Sequence, residues 1–231
     1  MDDTFSGDDR RPPGERARRG SATGALGAAW DEHRLYVYFA GGLFAVGVAI
    51  GAAMLAAGID LTELFAEMLA EEFSEEFAEE DLATEEPDFT ATFFIVQNTP
   101  PFLMAIVGAV TLGTVTALIM IVNGILVGNL AAAVGSDLGY GPTIALLAPH
   151  GIFELPALFV AAGVGFRLLH RAIQRILGSR EALFTRAYLY RTGLLVVVAW
   201  LVLVLAAFIE AYLTLPIAEA LFPDQLENGA G

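Results

Sequence analysis

The chain alternates long apolar runs with short charged stretches, and its first apolar run is long enough to cross a bilayer. Leu35 to Ala57 comprises 23 residues without a charge, and a helix needs roughly 20 residues to cross about 30 Å of hydrocarbon. We therefore predict a first transmembrane helix at about 35–57. The preceding stretch mixes acidic residues, arginines, prolines and glycines, and this composition predicts a disordered cytoplasmic tail at 1–33.

A second apolar run, from Phe93 to Val134, extends over 42 residues without a charge. It is too long for one straight crossing, and Pro100, Pro101 and the Asn123–Gly124 pair are its candidate points of division. Asn beside Gly tolerates left-handed backbone geometry, so we expect a turn there. Two further apolar runs follow, before an acidic C-terminal tail. The predicted helices after the first are at about 101–122, 124–137, 141–169 and 192–215, and the tail is at 217–231.

The stretch 60–88 has 13 acidic residues and no basic one. Leucines, phenylalanines and a methionine recur through it at helical spacing, which predicts an amphipathic helix with one apolar stripe. We expect this helix to lie against the membrane surface or the outer face of the bundle. Binding in a groove of a dedicated partner is the alternative.

The arginines predict the orientation of the chain. Six of them lie at or before position 34 and six lie at 167–191, and the positive-inside rule places both groups in the cytoplasm. The acidic segment is then extracellular, so an odd number of crossings must separate Asp88 from Arg167. Three crossings satisfy this condition, although a re-entrant pair in place of a crossing would preserve the parity. The N-terminus is then cytoplasmic and the C-terminus extracellular.

Composition supports a lipid environment and excludes several other classes of protein. Hydrophobic residues make up 56% of the chain and charged residues 17%, so we predict an all-α, polytopic membrane bundle with a single membrane domain at 34–216. The net charge of −15 argues against binding to nucleic acid. All 12 basic residues are arginine, and an acidic chain without lysine is typical of a halophilic organism. There is no cysteine, which excludes disulfides and thiolate metal sites.

Glu154 and His150 form the most unusual polar pair in the predicted spans. They are four positions apart, which places them on one face of a helix. Pro149 and Pro156 bracket the pair, and Pro156 frees a carbonyl one turn earlier. The pair can lock a kinked helix to its neighbours, bind an ion, a proton or a metal, or form part of a hydrolytic centre. Two residues are too few for a complete zinc site, and no HExxH motif is present, so we predict no cofactor.

Other polar residues in the apolar segments have simpler explanations. Asn123 is expected in the turn described above, and Asn129 is expected to form hydrogen bonds between helices, next to small residues that allow close packing. Glu210 lies near the predicted outer end of the last helix, where we expect it to reach water.

The segment from Pro149 to Ala157, with the small residues that follow it, resembles the signature of the stage II sporulation protein M family. The Asn123–Gly124 pair followed by Gly128, and the stretch from Ile209 to Leu213, are also similar to that family. The resemblance implies a multispanning membrane protein, which in spore-forming bacteria is a component of a complex with peptidoglycan-degrading proteins. An acidic chain without lysine suggests a halophilic archaeon, to which the fold carries over more readily than a role in sporulation.

These observations lead to one functional hypothesis and two alternatives. We expect a non-enzymatic scaffold or subunit of an envelope-associated complex in the cytoplasmic membrane, with another membrane protein or further copies of itself as partner. A small ion-coupled transporter or export component that uses His150 and Glu154 is the first alternative. A membrane-embedded hydrolase is the second.

Overall fold

The computed structural model describes residues 22–62, 64, 90–179 and 181–225. This part of the chain is helical and has no strand. Five of its helices are long and apolar enough to cross a membrane, which confirms the predicted all-α, polytopic architecture. The helices are α1 (Ala22–Ala56), α2 (Ala91–Val107, continued by a 3-10 turn at Gly108–Thr111), α3 (Thr114–Asp137), α4 (Tyr140–Ile176), α5 (Arg186–Ile209, continued by a π-helical segment at Glu210–Thr214) and α6 (Leu215–Leu221).

The predicted division of the long apolar run is wrong. The chain turns at Leu112 and Gly113, where φ is 54° and 75°, so α2 begins and ends about ten residues earlier than expected. Pro100 and Pro101 lie inside α2, and Asn123 lies inside α3, where its side-chain amide donates to the carbonyl of Ile119. With 24 residues, α3 is long enough to span about 30 Å without a break.

Several predicted ends also differ from the structure. Helix α1 begins at Ala22, so residues 22–33 of the predicted disordered tail are helical; Ala25 and Ala29 are buried there. Helix α4 extends past 169 to Ile176 and α5 begins at Arg186 instead of 192. Helix α6 reaches Leu221, inside the predicted tail. Most of the acidic segment 60–88, residues 1–21 and residues 226–231 lie outside the described residues.

Helices α1 and α3 pack in parallel through two facing small-residue motifs. Gly47 and Gly51 of α1 lie against Gly124 and Gly128 of α3, and a Cβ atom on any of these four glycines would overlap a backbone carbonyl oxygen of the other helix. Close backbone approach of this kind is how transmembrane helices associate where burial of apolar surface from water contributes little. Gly124 is therefore required for helix contact, and this explains why the Asn-Gly pair does not form a turn.

Asn129 joins the end of α1 to α3. Its side-chain amide donates to the carbonyls of Gly51 (3.1 Å) and Ile59 (2.9 Å), and its Oδ1 accepts from the backbone N–H of Leu61 (2.8 Å). Asp60, between these residues, accepts hydrogen bonds from the backbone N–H and the hydroxyl of Thr62, and these bonds lower the pKa of the Asp60 carboxyl. The chain leaving α1 is thus fixed against α3.

The remaining helices alternate in direction. Val37 of α1 contacts Gly163 of α4, and Ala105 of α2 contacts Gly165 of α4. The second half of α2 therefore lies at the same end of the bundle as the second half of α4. Asp60 lies at the opposite end of α1 from Glu32, which contacts Arg167. The acidic segment therefore begins at the end of the bundle opposite to these arginines.

Candidate functional site

His150 and Glu154 occupy one face of α4, in the half that follows the turn from α3. Helix α4 continues through both Pro149 and Pro156. Both ionisable side chains are partly buried and both line a groove of about 870 Å³. A charged group near the middle of a membrane helix costs about 2.5–3.5 kcal/mol on insertion scales, so such residues usually face a protein interior or a cavity and have a partner.

Glu210 is that partner, and its expected position in water is wrong. Its Oε1 lies 3.9 Å from Nε2 of His150, and one candidate ligand atom from each of His150, Glu154 and Glu210 lies within 4.8 Å of the others. We call these three residues the triad. In the part of the chain that the structure describes, these three side chains form a group whose ligand atoms could hold a metal ion.

Glu210 continues the α-helical backbone of α5 at the start of a π-helical segment. The segment Glu210–Thr214 is followed by Pro216 at the start of α6, and a proline has no backbone N–H to continue the α-helical hydrogen-bond pattern. Single π-helical turns inside α-helices are frequent at functional sites because they redirect side chains. The sequence also contains a signal for this pairing. His150 lies 17 residues before Arg167, and Glu210 lies 19 residues after Arg191. Antiparallel packing of α4 and α5 therefore places His150 and Glu210 at a similar depth in the membrane.

Thr214 lies beside the imidazole of His150. The Thr214 hydroxyl donates to the carbonyl of Ile209 (3.2 Å) and lies 3.5 Å from Nδ1 of His150. Because a hydroxyl has one hydrogen, a Thr214 oxygen that donates to Ile209 accepts from His150. With this arrangement Nδ1 of His150 carries the proton, and Nε2, which lies 3.9 Å from Oε1 of Glu210, is unprotonated.

The groove beside the triad is walled by α1, α3 and α4. Most of its lining is apolar, with small side chains prominent among them; Asn123, His150, Glu154 and Pro156 of the sequence-predicted site also line it. Pro149 and Asn129 are not part of the lining, and Asn129 instead holds the end of α1. The structure therefore brings four of the six predicted residues to one surface. The small residues of the lining are Ala52, Gly128, Ala131, Ala132, Ala148 and Gly151.

A second polar cluster, absent from the sequence predictions, lies at the opposite end of the bundle. Glu32 of α1 accepts hydrogen bonds from Arg167 and Arg171 of α4, both at 2.9 Å. Arg171 also donates to the carbonyl of Leu183 and lies 3.6 Å from the ring centre of Tyr188 on α5. These contacts join α1, α4, the connection after α4, and α5. Arg167 and Arg171 follow Glu32 by 135 and 139 residues in the sequence, so no local sequence pattern indicates that they pair.

Comparison with known proteins supports the observed architecture at the level of family. The family described as Stage II sporulation protein M matches residues 40–215, a range that includes part or all of each of the five long helices. The chain is 29% identical over 142 residues to an uncharacterized protein of Methanocaldococcus jannaschii, and the match covers 60% of this chain and 80% of the relative. No solved structure matches the chain.

Proposed function

Because the chain belongs to the stage II sporulation protein M family, we propose that it is a non-enzymatic subunit of a membrane complex and that its groove receives a transmembrane helix of a partner protein. The observation that carries the proposal is the groove itself, which has a volume of about 870 Å³ and small side chains along its walls. Small residues let two helix backbones approach closely in lipid. No atom of the described residues lies within 4 Å of where a Cβ of Gly151, in the groove wall, would stand.

The groove is better suited to a helix than to a solute that crosses the membrane. Most of the residues that line the groove, among them Phe44 and Phe159, are apolar. A path for ions instead needs polar groups or water along its length. The triad lies at one end of α4 and the Glu32 cluster at the other, and the aromatic and aliphatic side chains of Phe159 and Val160 lie between them on α4. These features favour the scaffold over the transporter.

Orientation in the membrane follows from the arginines under this proposal. Arg167 and Arg171 gather with the N-terminal part of α1 at one end of the bundle, and basic residues flanking spans favour the cytoplasm. We place this end, with the N-terminus, in the cytoplasm. The groove and the triad then lie nearer the extracellular side, as does the C-terminus.

Photo-crosslinking from the groove tests the proposed role. We expect p-benzoylphenylalanine in place of Ile152, which is 65% exposed and lines the groove, to give a discrete protein adduct in native membranes. The same group in place of Leu201, which is 54% exposed on α5, serves as the matched control and should give lipid adducts alone. The mass of the adduct distinguishes a different protein from a second 24.5-kDa copy.

A blocking substitution makes the result specific. Gly151→Leu should abolish the Ile152 adduct by filling the groove. Gly193→Leu, at another glycine where an added Cβ atom would have no neighbour within 4 Å, should leave the adduct intact. Lipid adducts alone at Ile152, or an adduct unaffected by Gly151→Leu, would remove the groove as a docking site for a helix.

A further inference from the structure

Two carboxylates and an imidazole converge where the first half of α4 meets the end of α5. The triad lies within the apolar spans Tyr140–Ile176 and Arg186–Leu221. Among the described residues, the ion-pair contact of Glu210 is with His150, and no arginine pairs with Glu154 or Glu210. Carboxylates in an apolar environment require protons or a cation.

The positions of His150 and Glu210 allow a cation to bind between them. With Nδ1 donating toward Thr214, Nε2 presents a lone pair to the Glu210 oxygen 3.9 Å away. Two lone pairs that face each other repel unless a positive centre separates them. A distance of 3.9 Å is too long for a direct hydrogen bond and somewhat longer than the roughly 3.3–3.6 Å between two ligand atoms on a tetrahedral zinc ion. Since the three candidate ligand atoms lie within 4.8 Å of one another, the side chains would draw together by roughly 1 Å to hold one ion.

We propose that His150, Glu154 and Glu210 bind one divalent transition-metal cation of the zinc class. One neutral imidazole and two ionised carboxylates carry two negative charges, which a divalent cation balances. Imidazole nitrogen with carboxylate oxygen suits zinc and similar first-row metals, whereas calcium takes six to eight oxygen ligands. Zinc in proteins is usually tetrahedral, so three protein ligands would leave one coordination position for a water molecule.

The contact between Thr214 and His150 matches the usual support of a metal-binding histidine. The ring nitrogen that does not bind metal normally donates to a nearby acceptor, which fixes the tautomer and the ring orientation. Thr214 would supply that acceptor, from the other end of the π-helical segment that begins at Glu210. The bound cation would join α4 to α5 near one end of the bundle. This inference is independent of the proposed docking of a partner helix.

Metal analysis of the purified full chain tests the site. We expect protein prepared in detergent without a polyhistidine tag, after addition and removal of excess Zn²⁺, to retain one Zn²⁺ per chain in the presence of millimolar Mg²⁺. Glu210→Gln and His150→Ala should lose it. The matched controls are Glu219→Gln, at an exposed position on α6, and His170→Ala, at an exposed position near the other end of α4; both should keep one Zn²⁺.

Two further measurements keep the test decisive if a triad variant folds poorly. Thr214→Val leaves all three ligands in place and should weaken Zn²⁺ binding about 10- to 100-fold. X-ray absorption of the Zn²⁺ form should show nitrogen and oxygen ligands with scattering from a single imidazole. Absence of retained Zn²⁺ in the folded wild-type chain, or equal retention by Glu210→Gln and Glu219→Gln, overturns the proposal and leaves a cluster that shares protons.

Discussion

Replacing Gly51 by leucine should prevent α1 and α3 from packing. A Cβ atom there would overlap the carbonyl oxygen of Ile125 and crowd the backbone nitrogen of Asn129, and neither backbone can move without separating the helices. The carbonyl of Gly51 also accepts from Asn129. We expect the free energy of unfolding in detergent to fall by about 3 kcal/mol or more, the upper end of the range for overpacked cores.

Gly42→Leu is the matched control for this prediction. Gly42 lies on the same helix, is exposed, and has no atom within 4 Å of a Cβ position in the part of the chain that the structure describes. Its substitution should change the free energy of unfolding by less than about 0.5 kcal/mol. Thermal melting of both variants checks the pair, and equal melting temperatures would contradict the close contact between α1 and α3.

Removing the carboxylate of Glu32 should destabilise the opposite end of the bundle. Arg171 is 2% exposed, and Glu32→Ala leaves its guanidinium beside that of Arg167 with no carboxylate between them. Breaking a buried ion pair by deleting one partner costs about 3–5 kcal/mol. Because the Glu32 side chain is 23% exposed, we expect a loss near the lower end of that range, about 3 kcal/mol.

A double-mutant cycle separates this cluster from a general effect of charge. Arg167→Met alone should also destabilise the protein, and adding it to Glu32→Ala should cost less than the sum of the single changes, since the two residues contact each other. Asp31→Ala is the control. Asp31 is exposed and its ion pair with Arg34 is long, at 3.9 Å, so this substitution should lower the free energy of unfolding by less than about 1 kcal/mol. Strict additivity of Glu32→Ala and Arg167→Met would show that the pair is not coupled.

The sequence was sufficient for the elements that depend on one-dimensional patterns. Apolar run length identified five membrane helices, and helical spacing placed His150 and Glu154 on one face. The grouping of the arginines required an odd number of crossings between Asp88 and Arg167, and the structure has three helices there.

The errors arose where a local signal has two uses. Asn123–Gly124 is a turn signal, but Gly124 serves the contact with α1 and the turn falls at Gly113, where φ is positive. Pro100 and Pro101 suggested a helix start, but α2 contains them. Local preferences such as these are overridden when tertiary packing benefits more from continuity of the helix.

The interactions that define the two polar clusters could not be predicted from local patterns at all. Glu210 reaches His150 because the end of α5 packs beside the first half of α4, and Glu32 meets Arg167 and Arg171 because α1 and α4 run antiparallel. Each contact joins residues more than 50 positions apart in the sequence. The sequence signal for the contact between Glu210 and His150 is that both lie a similar number of residues from the arginines that flank their helices.

Helices α4 and α5 must hold His150 beside Glu210 for the triad to exist, and a thiol crosslink measures this directly. The chain has no cysteine, so His150→Cys/Glu210→Cys provides two unique thiols in an otherwise unreactive protein. In native membranes the shortest bis-methanethiosulfonate reagent should join them within one chain, and should not join His150→Cys/Leu201→Cys, whose second site is exposed on α5 nine residues away. Equal crosslinking of both pairs, or none in the first, would contradict the arrangement on which the triad depends.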